Sequence, residues 1–177
     1  MIEREQIVSS LCRATDEVFA TMLGLEMSPA AAYTEVNPSG PTDGVVSFIG
    51  LAGAWVGTGS LSCTPGFACQ ISSQLLAGQP AAADKAVDEE VLDAVAEVTN
   101  MIIGNFKTML EEIVGPLGLS IPTVIFGRNF TARSVGTEEW TVVPFFCGEE
   151  RLDVKICLTP NREPHYSAKP VHSAVQL

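Results

Sequence analysis

Apolar residues in the middle of the chain recur with the period of an α-helix. From about Val87 to Ile113 they are separated by four and three positions, at Val91, Val95, Val98, Ile102, Phe106, Met109 and Ile113. This spacing places their side chains on one face, which predicts a long helix with a buried stripe. Residues 3 to about 24 show the same spacing over a shorter length, and Gly24 can end a helix. A first amphipathic helix is therefore expected there.

Short runs between and after these segments have the composition of β-strands. They are rich in β-branched and aromatic residues and are bounded by glycine, proline or charged turns. The first two runs and the last two can form hairpins; the runs are 45–51, 55–63, 123–126, 139–147 and 152–158. A short helix is expected from Phe67 to Ala77, after Pro65. The predicted fold class is α+β, with an antiparallel-rich sheet packed by long helices.

A faint repeat links the two halves of the chain. Residues 19–23 read FATML and residues 106–110 read FKTML, and each segment is followed by a proline-bearing linker and paired strands. Five residues can agree by chance, so a duplicated helix plus strand-pair unit and a coincidence both remain open. One domain over residues 1–160 is expected, followed by a tail of uncertain order at 161–177.

Composition excludes several classes of function. The net charge of −11, with no basic run, argues against binding to nucleic acid. Glycine and proline interrupt the uncharged segment 44–83, so no membrane span is expected. The five cysteines contain no CxxC pair, and both histidines lie in the tail. We expect a cytoplasmic protein with no metal or other cofactor of its own.

The polar face of the long helix carries the candidate chemistry. Asp93, Glu97, Asn100 and Gly104 are spaced by four and three, so their side chains are stacked opposite the buried stripe. Asparagine and glycine are poor choices for an exposed helix interior, where Gly costs about 1 kcal/mol relative to Ala. Glu97, Asn100 and Gly104 together are compatible with a surface that docks against a partner. From the pattern alone, an ordinary solvent-exposed helix face that tolerates Asn and Gly is the more typical interpretation.

The run from Asp93 to Asn105, followed by Pro122, resembles the chemotaxis phosphatases of the CheC, CheX and FliY group. Their signature is Asp or Ser, three residues, Glu, two residues, Asn, about twenty-two residues and Pro. This chain has twenty-one residues between Asn100 and Pro122, a spacing one residue shorter. The repeat places Ser10 and Arg13 where the long helix has Glu97 and Asn100. The first helix therefore lacks the Glu and Asn pair. A single site, in the central helix, is the arrangement of CheX-like members, so CheX is the closer match.

The resemblance implies a CheC/CheX-like fold and the hydrolysis of an aspartyl phosphate on a CheY-like response regulator. That regulator would supply its own magnesium ion and a lysine. Glu97 would pair with the lysine, and Asn100 would hold a water in line with the scissile P–O bond. Asp93, Gly104 and Pro122 would support docking. The resemblance also implies a homodimer, formed by extending the sheet between subunits.

Two other classes of function compete with this interpretation. A noncatalytic chemotaxis or flagellar-switch interaction module would bind a regulator without chemistry, which the intact Glu97 and Asn100 pair disfavours. A general acid/base enzyme would need paired titratable groups in a pocket, whereas Asp93 and Glu97 are expected only to share a polar helix face. Release of phosphate from a response regulator distinguishes the phosphatase interpretation from both of these alternatives.

Overall fold

The computed structural model describes residues 2–36, 42–77, 86–130 and 139–161. Helix α1 spans Arg4–Val18 and continues as a π-helical turn over Phe19–Leu23, which ends at the left-handed Gly24. Helix α2 spans Pro65–Ala77 and helix α3 spans Glu89–Val114. The predicted helices are therefore confirmed. Apart from Asn161, the predicted tail lies outside the described residues.

All strand pairings described here are antiparallel and belong to one sheet. Its order is β1–β7–β8–β4–β3–β5, with β2 also paired to β7 and β6 also paired to β3. The strands are β1 Ser28–Pro29, β2 Tyr33–Val36, β3 Thr42–Gly53, β4 Trp55–Cys63, β5 Leu117–Leu119, β6 Thr123–Phe130, β7 Glu139–Cys147 and β8 Glu150–Pro160. The α+β class and both hairpins are confirmed.

The sheet has an internal two-fold arrangement that relates the two halves of the chain. Its strand order reads the same backwards when β1, β2, β3 and β4 are exchanged with β5, β6, β7 and β8. Tyr33 of β2 pairs with Val142 of β7. In the corresponding register, Thr123 of β6 pairs with Phe48 of β3. This correspondence supports a duplicated unit of one helix and paired strands.

The main core lies between the helices and one face of the sheet. Phe19 and Phe106, the first residues of the two repeat segments, are fully buried there. Helix α3 packs tightly on β4, because a Cβ at Gly59 would come within 2.9 Å of the Ile103 side chain. Glycine at this position therefore lets the central helix lie close to the sheet.

The structure differs from the sequence prediction in two respects. Strands β1, β2 and β5 were not predicted, because runs of two to four residues are too short to show a period. The predicted burial of Ile113 is wrong, since 51% of this residue is exposed while Leu110 is buried. A strict spacing of four and three drifts around a helix of 3.6 residues per turn, so the buried face shifts toward Leu110.

Candidate functional site

Helix α3 presents the candidate residues, and its first turn is well capped. The Asp88 side chain accepts a hydrogen bond of 3.0 Å from the Val91 backbone N–H, which satisfies one of the free donors at the helix start. Glu89 and Glu90 occupy the first turn, where carboxylates interact favourably with the helix dipole. The first turn of α3, which precedes Asp93, is therefore stabilised by its N-cap and its two carboxylates.

A groove of about 370 Å³ lies between α3 and the loop that joins β5 to β6. Helix α3 contributes Asp93, Ala96, Glu97 and Asn100, and the loop contributes Ser120, Ile121 and Pro122. Four of the residues predicted from the sequence therefore lie around one groove. Gly104, the fifth, does not line it, and a Cβ there would meet Leu119 Cδ1 at 4.0 Å.

The polar side chains that α3 contributes to the groove are available to meet a partner. Asp93 and Glu97 are exposed and Asn100 is half-buried. Within the described part of the chain, the side chains of Glu97 and Asn100 make no hydrogen bond or ion pair. A half-buried carboxamide with unused donors and acceptors can both donate to and accept from one ligand, such as a water molecule.

The loop side of the groove is held by hydrogen bonds to the sheet. The Ser120 N–H donates to the Gly50 carbonyl at 2.9 Å, and the Gly50 N–H donates to Ser120 Oγ at 2.8 Å. Ser120 Oγ in turn donates to the Ile121 carbonyl at 2.9 Å. Both neighbouring strands pair with β3. The loop is therefore fixed at both ends and at its centre.

A second contact holds the end of α3 against β5. Glu111 Oε1 accepts a hydrogen bond of 2.9 Å from the Leu117 N–H, and Glu111 Oε2 lies 2.9 Å from Lys107 Nζ. The Leu117 N–H, followed by Lys107, holds the pKa of the Glu111 carboxyl below its ordinary value. This carboxylate therefore ties the end of α3 to β5, which leads directly into the groove loop.

Sequence reasoning missed Ser120 and Ile121. The available signal was Ile121 itself, a large apolar residue placed immediately before the motif proline.

No group of three or more His, Cys, Asp or Glu side chains that could hold a metal ion occurs in residues 2–36, 42–77, 86–130 and 139–161. In those same ranges no helix is long and apolar enough to cross a membrane.

The chain is similar to a known protein family and to several solved structures. Residues 45–146 match the family described as chemotaxis phosphatase CheX. The CheY-P phosphatase CheX of Thermotoga maritima is 27% identical over 131 residues, which cover 74% of this chain and 82% of that protein. A putative chemotaxis protein from Desulfovibrio vulgaris Hildenborough has a similar structure, with a TM-score of 0.75 and 27% identity over 90% of this chain and all of that chain.

A third relative was solved together with its partner. The CheX of the CheX–CheY–BeF3–Mg²⁺ complex from Borrelia burgdorferi matches with a TM-score of 0.65 and 25% identity, covering 86% of this chain and 97% of that chain. The matched family region includes α3 and the whole groove, and it spans more than half of this chain. The CheC/CheX-like fold predicted from the sequence is confirmed, and the chain belongs to the family of the chemotaxis phosphatase CheX.

Proposed function

We propose that this protein hydrolyses the aspartyl phosphate of a phosphorylated CheY-like response regulator in chemotaxis signalling. In this reaction a water oxygen forms a bond to phosphorus while the P–O bond to the aspartate breaks. The products are inorganic phosphate and the free carboxylate, and the water protons pass to solvent or phosphate. The observation that carries the proposal is the groove that combines Glu97, Asn100 and Pro122. The relatives named as a CheY-P phosphatase and as a complex with CheY support it.

Asn100 is the catalytic residue of this proposal. Its carboxamide can donate to the phosphoryl oxygens and accept from a water at the same time without becoming charged. Holding that water in line with the scissile bond is catalysis by positioning, as for the water-orienting glutamine of some GTPases. The half-buried setting and the unused hydrogen-bonding groups of Asn100 suit this role.

Glu97 fixes the docked register in the proposed complex. Its exposed carboxylate would pair with a lysine of the regulator, and this charge-assisted contact gains strength as water leaves the interface. Asp93 and Pro122 border the same groove and support docking. The magnesium ion of the reaction belongs to the regulator. It is therefore part of the substrate, and this chain needs no cofactor of its own.

Phosphate release with Asn100→Ala tests the catalytic assignment. The CheY-like regulator is phosphorylated with acetyl phosphate, and its dephosphorylation is followed with and without the protein. Asn100→Ala should lower the added rate more than about tenfold, because the water loses its positioning group. Asn105→Ala is the matched control, since Asn105 lies on the same helix outside the groove. Wild-type speed with Asn100→Ala would show that the mechanism is wrong.

The same assay separates the proposal from a noncatalytic interaction module. A module of that kind would bind the beryllofluoride form of the regulator but would not speed phosphate release. Glu97→Ala should mainly weaken binding to that form, and an unchanged affinity would remove its assigned role. We further propose a cytoplasmic location, with which the five free cysteines agree.

We also propose that the protein forms a homodimer by joining β6 edges. Within the described residues β6 pairs only with β3, so its other edge has no partner strand. Ile125 is 38% exposed and Phe126 is 46% exposed on this strand, and an apolar free edge favours strand addition. Light scattering at micromolar concentration should give the mass of a dimer. A monomer mass would overturn this part of the proposal.

A further inference from the structure

Ile121 is the most exposed large apolar residue of those described, with 86% of its surface accessible, and it projects from the groove loop. The next most exposed, Val36, reaches 58%. An isoleucine in water forgoes the favourable burial that its side chain would gain in an apolar environment. Exposed apolar residues are common when single, so exposure alone assigns no role. The position beside Glu97 and Asn100 is what makes Ile121 informative.

The backbone around Ile121 is held before any partner binds. The Ile121 carbonyl accepts a hydrogen bond from Ser120 Oγ, whose own N–H is bound to Gly50. Pro122 follows and fixes its own φ angle. A side chain presented on a rigid loop loses little conformational entropy on binding, which favours its use as an anchor.

The two-fold arrangement of the sheet provides an internal comparison. The Ala30 N–H donates to the Pro144 carbonyl at 2.8 Å in the first half, as the Ser120 N–H donates to Gly50 in the second. By this correspondence Ala31 occupies the position of Ile121, and it is likewise exposed. The first half thus makes the same loop with alanine. The fold does not require isoleucine there, and the half that has it is the half with the Glu97 and Asn100 pair.

We propose that Ile121 is an apolar anchor that inserts into a depression on the phosphorylated response regulator, beside its aspartyl phosphate. This inference rests on the proposed function of the groove. Interfaces commonly combine a central apolar anchor with polar groups around it. Ile121 would supply affinity and select regulators that have an apolar depression at that position. It does not touch the reacting atoms, so it is a docking residue and not a catalytic one.

Binding and turnover of Ile121→Ser test the proposal. The probe is the CheY-like regulator in its beryllofluoride form for affinity and in its acetyl-phosphate-charged form for phosphate release. Ile121→Ser should raise Kd and KM about tenfold or more. The value of kcat at saturation should stay within about twofold, because the lost contact stabilises the bound substrate and the transition state equally. Ile121→Leu should retain most of the affinity. Val36→Ser, an exposed aliphatic residue on β2 outside the groove, is the matched control.

Each result of this experiment has a defined meaning. An unchanged Kd for Ile121→Ser, with an active wild type that depends on Asn100, overturns the anchor and leaves the proposed function standing. A wild type that releases no phosphate from the regulator overturns the proposed function and the anchor with it. A change of oligomeric mass in Ile121→Ser at unchanged Kd would assign Ile121 to self-association and also overturn the anchor. Because the side chain is exposed, all three variants should fold normally.

Discussion

Gly104 lies inside α3, one turn after Asn100, and its replacement by alanine should change stability and affinity in opposite directions. A glycine in a helix interior costs about 1 kcal/mol relative to alanine, because its backbone loses more freedom on folding. Among the described residues, and apart from its chain neighbours and the helix backbone, a Cβ at Gly104 would meet only Leu119 Cδ1, at an ordinary van der Waals distance of 4.0 Å. Gly104→Ala should therefore raise the free energy of unfolding by about 1 kcal/mol.

Urea and thermal denaturation measure this gain. For a domain of this size, 1 kcal/mol corresponds to a rise in Tm of about 2–4 °C. The urea midpoint should rise with an unchanged m value. Thr108→Ala is a suitable control, because Thr108 is exposed one turn later and its replacement also raises helix propensity; it removes a hydrogen bond of 3.0 Å from Thr108 Oγ1 to the Gly104 carbonyl, a side-chain bond within the helix that adds little stability. A lower Tm for Gly104→Ala would refute the packing argument.

The functional half of this prediction concerns the backbone that Gly104 leaves uncovered. If a loop of the regulator packs directly against the α3 backbone at Gly104, the methyl group of alanine would prevent that close contact. Gly104→Ala should then weaken binding of the beryllofluoride form of the regulator, although the protein itself is more stable. Thr108→Ala should stabilise without weakening binding. Equal affinities for wild type and Gly104→Ala would refute a docking role for this glycine.

Substitutions at three further positions test the supports of the site and the core. Glu111→Gln should lower Tm at neutral pH. Because the folded-state pKa of the Glu111 carboxyl lies below its ordinary value of 4.5, the stability that this carboxylate contributes is fully present above about pH 4.5 and is lost as the pH falls through the folded-state pKa. The Tm values of the wild type and of Glu111→Gln should therefore converge in acid. Ser120→Ala removes two loop hydrogen bonds and should lower the unfolding free energy by about 1–2 kcal/mol in urea, whereas Ser120→Thr should not. Ser47→Ala removes a buried hydroxyl without a partner among the described residues and should raise that free energy by about 1 kcal/mol. A Glu111→Gln or Ser120→Ala protein as stable as the wild type would contradict the corresponding contact, and a Ser47→Ala protein no more stable than the wild type would contradict the cost assigned to the unpartnered hydroxyl.

The sequence was most informative where its periodicity was long. The spacing of α3 predicted both its buried stripe and the face with Glu97 and Asn100, because a 26-residue helix repeats its pattern several times. Strand β5 has three residues and offers no period. The groove needs β5 and also the hydrogen bonds between Ser120 and Gly50, which lies 70 positions earlier. Contacts of that separation follow from sheet register, and local sequence does not reveal them.

The two-fold arrangement explains why one groove, and not two, carries the proposed chemistry. Both halves build a helix, two strands joined by a loop, and a hairpin, and an equivalent backbone hydrogen bond ties each loop to the hairpin of the other half. The backbone scaffold is thus present twice, and the difference lies in side chains. The first half has Ser10 and Arg13 on its helix and an alanine loop at 30–32. The proposed site therefore depends on substitutions at a few positions of a shared scaffold, and it can be gained or lost without changing the fold.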